Sequence, residues 1–454
     1  MKPNNYLHRL IRSARLFLFT KETLAAFLFL VGLIVYEALV LTVHFRHYFE
    51  ALRNGDYFIG LGALVIVFAS WVWAALFFRA SLMSTYATRV VYYLIFVNAT
   101  GFEYGYQKAF SRFSTVEDLR IALFDTTAQQ TLDGMMAYGN WLVIVPWISF
   151  ALLLITIRSN RRKSWGAMAL LLAVLVVGYS AIGPFISGHF TATSLNAFMR
   201  TVITSPWKWA GAYHGPRDSV AAHPQHRPAN NIILVIDESV RGDHLSLNNY
   251  SRATTPYLEK LAQQHWLYNW GIAAAGTTCS FASDSLLYTG INPMQLPDTG
   301  FQIRKRPNIF QYARAMGYRT HFLDAQKENF WLGTSDDQTY VDDWQRASSF
   351  VSSNRYDRDA ELAKKINEIV AHDTGQFVWV VKLGVHYPYG RAFPASASEW
   401  QPTVQSEAID PARRSEMTNA YDDAVKYNLE SFFQNLGIEQ WPQQNILIYT
   451  SDRP

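Results

Sequence analysis

Three uncharged apolar stretches near the N-terminus constrain the fold more strongly than any other feature of this chain. They comprise residues 57–78, 141–157 and 165–186. About 20 apolar residues at ~1.5 Å per residue match the ~30 Å hydrocarbon core of a bilayer, so each stretch is long enough to cross a membrane as a helix. Residues 23–43 and 90–102 are weaker candidates, and they bring the predicted number of spans to five.

Charged residues in this region predict the orientation of the spans. Lys and Arg in short loops stay preferentially on the cytoplasmic side; the N-terminal tail and residues 158–163 are basic, whereas residues 103–140 are acidic. Five crossings from an inside start leave everything after Ile186 outside. Glu37 interrupts the first candidate span, where its carboxylate is either an intramembrane functional group or close enough to the outer end to reach water.

Composition excludes several classes of protein. Only 17% of the 454 residues are charged, against about 25% in an average soluble domain. Because 40 Lys and Arg face 36 Asp and Glu, the chain is not a polycation of the nucleic-acid-binding kind, and no nucleic-acid partner is expected. Cys279 is the single cysteine, which excludes an internal disulfide and a cysteine-based zinc cluster. The remaining possibilities are metal-free chemistry or chemistry that relies on His and carboxylate groups.

A change of pattern after the last apolar stretch predicts three regions. Residues 1–187 form the transmembrane domain, residues 188–230 a juxtamembrane linker rich in His, Pro and aromatic residues, and residues 231–454 a soluble domain. Short apolar runs alternate with helical periodicity in the last region, which predicts an α/β fold with a mostly parallel sheet and helices on both faces. The predicted strands are residues 231–237, 318–323, 377–383 and 445–450. Helices are predicted to begin near Pro256, after Pro307, at residue 281 and at residue 357.

Polar residues follow three of the predicted strands at the point where each strand ends. Asp237, Glu238 and Ser239 follow the first, His386 follows the third, and Ser451 with Asp452 ends the last. Ligands bind beyond the carboxyl ends of parallel strands, so these side chains are expected to converge. Carboxylate and imidazole groups are suitable ligands for zinc or manganese. Each residue alone could equally be a turn or capping residue.

The segment Gly-Thr-Thr-Cys-Ser at residues 276–280 precedes a predicted helix. A hydroxyl at a helix N-terminus is well placed to hold a phosphoryl group, because free backbone N–H groups and the helix dipole favour negative charge there. The alternative is plain N-capping of the helix by a threonine. Position alone does not decide between these two interpretations.

Five short motifs together resemble the phosphoethanolamine transferases, which are membrane-anchored, sulfatase-like members of the alkaline phosphatase superfamily. The motifs are ESxR at 238–241, LNNYSRATTP at 247–256, GTT at 276–278, LGxH at 383–386 and SD at 451–452. The five-span anchor with an outward domain also resembles that family. The resemblance therefore covers nearly the whole chain and implies a sulfatase-like fold for residues 231–454.

The resemblance implies an activity, a cofactor and a location. Members of this family are zinc enzymes that transfer phosphoethanolamine from phosphatidylethanolamine onto a threonine. They then pass it to a surface glycolipid or glycan, such as lipid A. For this chain, manganese is the alternative metal. The implied location is the bacterial inner membrane, with several spans and a periplasmic catalytic domain.

The resemblance also assigns roles to residues of this chain. Glu238 and Asp452 become metal ligands, and Thr278 becomes both nucleophile and ligand, with Thr277 as the alternative. A threonine hydroxyl is a poor nucleophile near neutral pH, and a bound zinc ion lowers its proton affinity. His386 matches the histidine that contacts the transferred phosphoryl group or assists the leaving group.

Two further features of the sequence bear on this assignment. Lys327 is a candidate for phosphate contact by a loose local match to the family, and the favoured alternative is an ordinary surface lysine. Cys279 is not the cysteine that sulfatases convert to an aldehyde, because that motif has proline two positions and arginine four positions later, where this chain has Phe281 and Ser283.

The last motif departs from the family pattern. Family members continue Ser-Asp with His-Gly and use the histidine as a ligand, whereas this chain reads Ser451-Asp452-Arg453-Pro454. A guanidinium stays protonated and cannot ligate zinc, which suggests a truncated or frameshifted catalytic domain that is incomplete at its C-terminus. The alternative functions are therefore an inactive pseudoenzyme, or a glycerol-phosphate transferase or phosphodiesterase of the same superfamily.

Overall fold

The structure, a computed structural model, describes the greater part of the chain. It covers residues 20–41, 57–110, 113–120, 139–157, 193–210, 213, 215–220, 227–277, 280–296, 298, 300–328, 330, 332–333, 335–350, 354–372, 374–404, 413–441 and 444–452. The chain divides into two units, Met1–Gly211 and Ala212–Pro454. The helix Ser194–Ala210 therefore falls within the first unit, and the domain limits read from the sequence stay a prediction.

Helices build the described part of the N-terminal unit. They are α1 (Lys21–Val40), α2 (Tyr57–Leu82), α3 (Tyr86–Phe110), α4 (Val116–Arg120), α5 (Ile144–Thr156) and α6 (Ser194–Ala210). The rings of Phe78, Phe96 and Phe150 meet edge to face in its core, with centroids 4.9–5.7 Å apart. By length and composition, α1 can cross a membrane. The predicted span at residues 165–186 lies outside the described residues, so the count of five stays a prediction.

Glu37 of α1 does not reach water, and that interpretation of the sequence is wrong. Its side chain is fully buried, and its carboxylate accepts hydrogen bonds from the backbone N–H of Ser194, at 3.1 Å, and from the Ser194 hydroxyl. The first N–H groups of a helix have no partner within the helix. Glu37 supplies a hydrogen-bond acceptor for the first turn of α6, which explains why an acidic residue is placed within an apolar helix.

A five-stranded parallel sheet forms the centre of the C-terminal unit, in the order β3-β2-β4-β1-β5. The strands are β1 (Asn231–Asp237), β2 (Arg319–Asp324), β3 (Asp343–Gln345), β4 (Gln376–Val381) and β5 (Asn445–Ser451). The four predicted strands and the parallel sheet are confirmed. The sequence did not predict β3, because three residues are too few to show a period.

Helices cover both faces of this sheet, as predicted. Ile233 and Val235 of β1 pack in one core with α7 (Pro256–Gln263), α11 (Arg358–His372) and α12 (Arg414–Leu436). Leu234 and Ile236 pack on the opposite face with α8 (Ser280–Thr289) and α10 (Ile309–Ala315). The short α9 (Gln302–Lys305) precedes α10. Alternate residues of a strand point to opposite faces, so an apolar run of this kind needs a helix layer on each side.

The helix signals in the sequence were mostly correct. Pro256 is the first residue of α7, and α10 begins two residues after Pro307, where Asn308 and Gln311 form a capping box. The sequence did not predict α12, the longest helix of this unit. Its buried polar residues interrupt the apolar period; they are Asn419, Asp422, Asp423 and Asn428.

Candidate active site

Ser239, directly after β1, joins the two carboxylates that the sequence assigned to a metal. Its backbone is left-handed, with φ of 59°. Its N–H donates to Oδ1 of Asp452 at 3.0 Å, and its hydroxyl donates to Oε1 of Glu238 at 2.6 Å. Both carboxylates are 3% exposed. The structure therefore brings Glu238 and Asp452 together, although 213 positions separate the two ends of the Ser239–Asp452 bond.

The sheet itself places these residues side by side. Strands β1 and β5 are neighbours, and Asp237 is in register with Ser451. The N–H of Asp452 donates to the carbonyl of Asp237 at 3.0 Å. On the other side, Nε2 of Gln326, which follows β2, donates to Oε2 of Glu238 at 3.2 Å. The carboxyl ends of β1, β2 and β5 thus meet at one edge, as expected for a parallel sheet.

His386 belongs to the same edge. It follows Val385, whose N–H donates to the carbonyl of Glu238 at 3.0 Å. Nδ1 of His386 lies 2.6 Å from the carbonyl oxygen of Tyr387. A carbonyl can only accept, so Nδ1 carries the proton and Nε2 is the nitrogen that can exchange one. The imidazole is thereby oriented by its own loop.

The backbone conformation at residue 384 explains why the LGxH motif has a glycine at its second position. Its φ is 57°, in the left-handed region that favours glycine. A Cβ at this position would lie 2.3 Å from Oδ1 of Asp237 and 2.8 Å from the backbone nitrogen of Glu238. Only a residue without a side chain allows the loop that carries His386 to pass this close to the turn after β1.

Helix α8 presents one further carboxylate to this edge. Asp284 is 2% exposed, and its Oδ1 has no hydrogen-bond partner within the described ranges. Burial raises the pKa of Asp284 well above its ordinary value, the charges of Asp452 and Glu238 raise it further, and Lys327 opposes them. The sequence did not single out Asp284, because the short apolar segment around it does not show which side of α8 faces the sheet.

The remaining predicted site residues are Thr277, Thr278 and Lys327. Thr277 is three positions before the first residue of α8, and its hydroxyl is 3.0 Å from that of Ser283. Thr278, the predicted nucleophile, lies outside the described residues. Lys327 is half-buried; its N–H donates to Oδ1 of Asp324 at 3.1 Å, and its charge acts on Asp284. The roles of these residues stay predictions.

The donors suit a divalent cation in part. Glu238 and Asp452 offer buried, hard carboxylate oxygens, which zinc and manganese accept. Within the part of the chain that the structure describes, no three His, Cys, Asp or Glu side chains form a group that could hold a metal. Thr278 and Arg453 lie outside that part. Glu238 and Asp452 could therefore supply two of the roughly four ligands that a zinc ion takes in proteins.

A buried polar layer beneath the site was also missed by the sequence analysis. Lys382, after β4, forms an ion pair with Asp237, and both side chains are fully buried. The hydroxyl of Tyr449 donates to the same carboxylate at 2.7 Å. Asp359 accepts the backbone N–H groups of Leu383 and Gly384 at 2.8 and 2.9 Å. A lysine directly after a buried strand could have indicated a buried ion pair. The sequence analysis assigned residue 382 to the strand itself, so this signal was missed.

Asp284→Asn is expected to stabilise the cation-free protein at neutral pH, by about 1–3 kcal/mol, because it removes a buried charge that lacks a full set of partners. The pKa of Asp284 is raised by folding, so the wild-type protein loses stability as pH rises above the ordinary carboxyl range. The gain should therefore shrink towards pH 4. Denaturation midpoints of both proteins in detergent between pH 4 and pH 8, with chelator, measure it; a gain that does not vary with pH would contradict the assignment.

The parallel sheet, its two helix layers and the paired carboxylates at its carboxyl edge define an α/β domain with a candidate cation site. Residues 230–453 match the family model described as Sulfatase. The chain carries a sulfatase-family domain, in agreement with the motifs read from the sequence.

Two curated relatives and one solved structure show what the chain is similar to. Phosphatidylethanolamine transferase Mcr-1 of Escherichia coli is 21% identical over 254 residues, which are 53% of this chain and 45% of that protein. Kdo(2)-lipid A phosphoethanolamine 7''-transferase of Escherichia coli strain K12 is 24% identical over 234 residues, 50% of this chain and 40% of that protein. The matched region therefore spans less than half the length of either relative.

The solved structure is the integral membrane protein lipooligosaccharide phosphoethanolamine transferase A (EptA) from Neisseria meningitidis. It superposes with a TM-score of 0.64 and 17% identity, over 93% of this chain and 82% of that one. At this identity the match shows a shared fold. That fold includes the helical N-terminal unit as well as the sulfatase-family domain.

Proposed function

We propose that the protein is a membrane-anchored, metal-dependent transferase. It moves phosphoethanolamine from phosphatidylethanolamine, through a phosphothreonine-type intermediate, to a surface glycolipid or glycan such as lipid A. The observation that carries this proposal is the pairing of Glu238 and Asp452 through Ser239, beside the helix that follows Thr278. The names of the two curated relatives support the donor and the acceptor.

The proposed cation is zinc, or manganese, and Glu238, Asp452 and Thr278 would hold it. When bound, such an ion lowers the proton affinity of a hydroxyl and neutralises charge on phosphoryl oxygens. The two carboxylates are buried, so they offer their charge in a low-dielectric environment where electrostatic attraction is strong.

The residues of the chain account for two successive displacements. The oxygen of Thr278, which has released its proton to solvent, attacks the phosphorus of phosphatidylethanolamine, and the bond to the diacylglycerol oxygen breaks. Nε2 of His386 delivers a proton to that leaving oxygen and later takes one from the acceptor hydroxyl, while Nδ1 stays bound to the Tyr387 carbonyl. Lys327 and Thr277 contact the phosphoryl oxygens. The acceptor then displaces the threonine and regenerates it.

The membrane anchor contributes to this reaction. We place the protein in the bacterial inner membrane with five spans in residues 1–187, a linker at 188–230 and a periplasmic catalytic domain at 231–454. Helix α1, which is apolar and long enough to cross a bilayer, supports the anchor. Donor and acceptor are then both confined to the membrane surface, and proximity raises their effective concentration.

Thr278→Ala is expected to abolish covalent labelling. The purified full chain, incubated with zinc and phosphatidylethanolamine, should gain the mass of one phosphoethanolamine group, located on Thr278 by peptide mass spectrometry. Thr277→Ala is the matched comparison: it removes one proposed phosphoryl contact but leaves the attacking hydroxyl in place, so it should still form the adduct, at a lower rate.

Each other outcome of this experiment identifies a different function. Labelling from phosphatidylglycerol instead of phosphatidylethanolamine would indicate a glycerol-phosphate transferase. Loss of the adduct only in Thr277→Ala would identify Thr277, not Thr278, as the nucleophile. No adduct from either lipid in the wild-type chain would refute the transferase and favour an inactive protein.

A further inference from the structure

Tyr421 of α12 bridges the turn that carries both candidate ligands. Its side chain is 4% exposed. Its hydroxyl donates to the carbonyl of Ser239 at 2.9 Å and accepts the backbone N–H of Arg241 at 2.7 Å. One phenol oxygen thus satisfies the backbone on both sides of Val240, from a helix that is 180 positions away from Arg241 in the chain.

The bridged turn has an unfavourable backbone that needs support. Ser239 has a φ of 59°, although it is not glycine, and this region is disfavoured for residues with a Cβ. The N–H and hydroxyl of Ser239 are the groups that hold Asp452 and Glu238. The orientation of both carboxylates therefore depends on the conformation of one strained residue.

The ring of Tyr421 also connects this turn to the loop of His386. It packs edge to face on Tyr389 with centroids 5.0 Å apart, and Tyr389 packs in the same way on Tyr387 at 5.3 Å. The carbonyl of Tyr387 is the acceptor that orients the His386 imidazole. The Tyr421 side chain thus contacts the turn that holds the carboxylates directly. It reaches the loop that orients the His386 imidazole through two further tyrosine rings.

We propose that Tyr421 is a positioning residue, whose hydroxyl fixes the Ser239 turn and so sets the affinity of the Glu238–Asp452 pair for a divalent cation. The proposal rests on the proposed function for the nature of the ligand. It needs no contact between Tyr421 and the cation. Partners one step removed from a metal typically change its affinity by about 10–100-fold, because they hold the ligands in place.

Tyr427 provides a matched control on the same helix. Its hydroxyl donates to Oδ1 of Asp357 at 2.9 Å, a contact that does not involve the turn after β1. Tyr421→Phe and Tyr427→Phe each remove one hydroxyl from α12 and keep the ring. A general loss of stability should therefore be similar in the two variants, whereas an effect on the turn should be confined to the first.

Two measurements on the purified full chain test the proposal. Titration with Zn²⁺ and with Mn²⁺ should show that Tyr421→Phe weakens binding at least about tenfold, while Tyr427→Phe binds like the wild type. Hydrogen exchange without added metal should be faster in Tyr421→Phe in the peptide that contains the Arg241 amide, which has lost its acceptor. Unchanged affinity and exchange in Tyr421→Phe, or equal losses in both variants, would overturn the proposal.

The two measurements separate this proposal from the proposed function. If the wild-type chain binds neither cation, the metal-dependent transferase is refuted, and so is the link between Tyr421 and cation affinity. Faster exchange at Arg241 in Tyr421→Phe alone would then still assign the support of the turn to this hydroxyl. If the wild-type chain binds a cation and Tyr421→Phe binds it equally well, the proposed function stands and the role of Tyr421 is refuted.

Discussion

Glu238→Gln and Asp452→Asn are each expected to weaken divalent-cation binding by more than about 100-fold and to abolish transfer. Even outer-shell partners of a metal cost 10–100-fold when removed, and these two residues supply the donor oxygens themselves. Both substitutions keep a carbonyl oxygen that can accept from Ser239, as Oε1 and Oδ1 do now. The turn after β1 should therefore survive while the negative charge is lost.

Asp243→Asn is the control for this pair. Asp243 is in the same segment as Glu238, five residues later. Its side chain is half exposed and pairs with Arg241 on the surface. Exposed pairs of this kind contribute little to stability. Titration with Zn²⁺ and Mn²⁺ and the labelling assay with phosphatidylethanolamine measure the outcome, and wild-type affinity in either Glu238→Gln or Asp452→Asn would remove that residue from the site.

Stability distinguishes a lost ligand from a misfolded protein. Glu238 and Asp452 both raise the pKa of buried Asp284 by charge repulsion. Neutralising either one should relieve that repulsion, so Asp452→Asn should be no less stable than the wild type in chelator, and Glu238→Gln should lose no more than the bond that Oε2 accepts from Gln326. A variant that loses both cation binding and stability in chelator would point instead to collapse of the turn.

Local pattern and topology together predicted the position of the carboxylates. The apolar run at 231–237 and the run at 445–450 read as buried parallel strands, and the strands are β1 and β5, adjacent in the sheet. Residues that follow parallel strands meet at one edge. That rule is enough to place Glu238 near Asp452, because it requires no knowledge of how the helices pack.

The supporting residues could not be predicted in this way, because they depend on packing between distant segments. Tyr421 contacts Ser239 across 182 positions, from a helix whose buried polar residues hide its period. Asp284 is on a short helix that carries buried residues on several sides, so no pattern shows which residue faces the sheet. Lys382 looked like the polar end of a strand, and only the burial of Asp237 shows that it is an ion-pair partner.

The buried ion pair below the site leads to the largest expected effect on stability. Nζ of Lys382 contacts Oδ2 of Asp237 and lies 4.0 Å from Oδ2 of Asp359 and 4.6 Å from the ring centroid of Phe432. Lys382→Met should fit among these groups but leaves the carboxylate of Asp237 buried without its cation. Breaking a buried pair from one side typically costs about 3–5 kcal/mol, so we expect a loss of that size.

A second substitution shows whether the uncompensated charge is the cause. Asp237→Asn in the Lys382→Met background removes that charge. Its amide oxygen can accept from the N–H of Glu238, which bonds to Oδ1 of Asp237 at 2.9 Å, and its amide nitrogen can donate to the Tyr449 hydroxyl, which lies 2.7 Å from Oδ2. Replacing both partners of a buried pair is often nearly neutral, so the double variant should recover most of the loss. Chemical denaturation of the three proteins measures this. A double variant no more stable than Lys382→Met would show that the lysine acts through packing or through Asp359, 4.0 Å from Nζ, and not through the charge of Asp237.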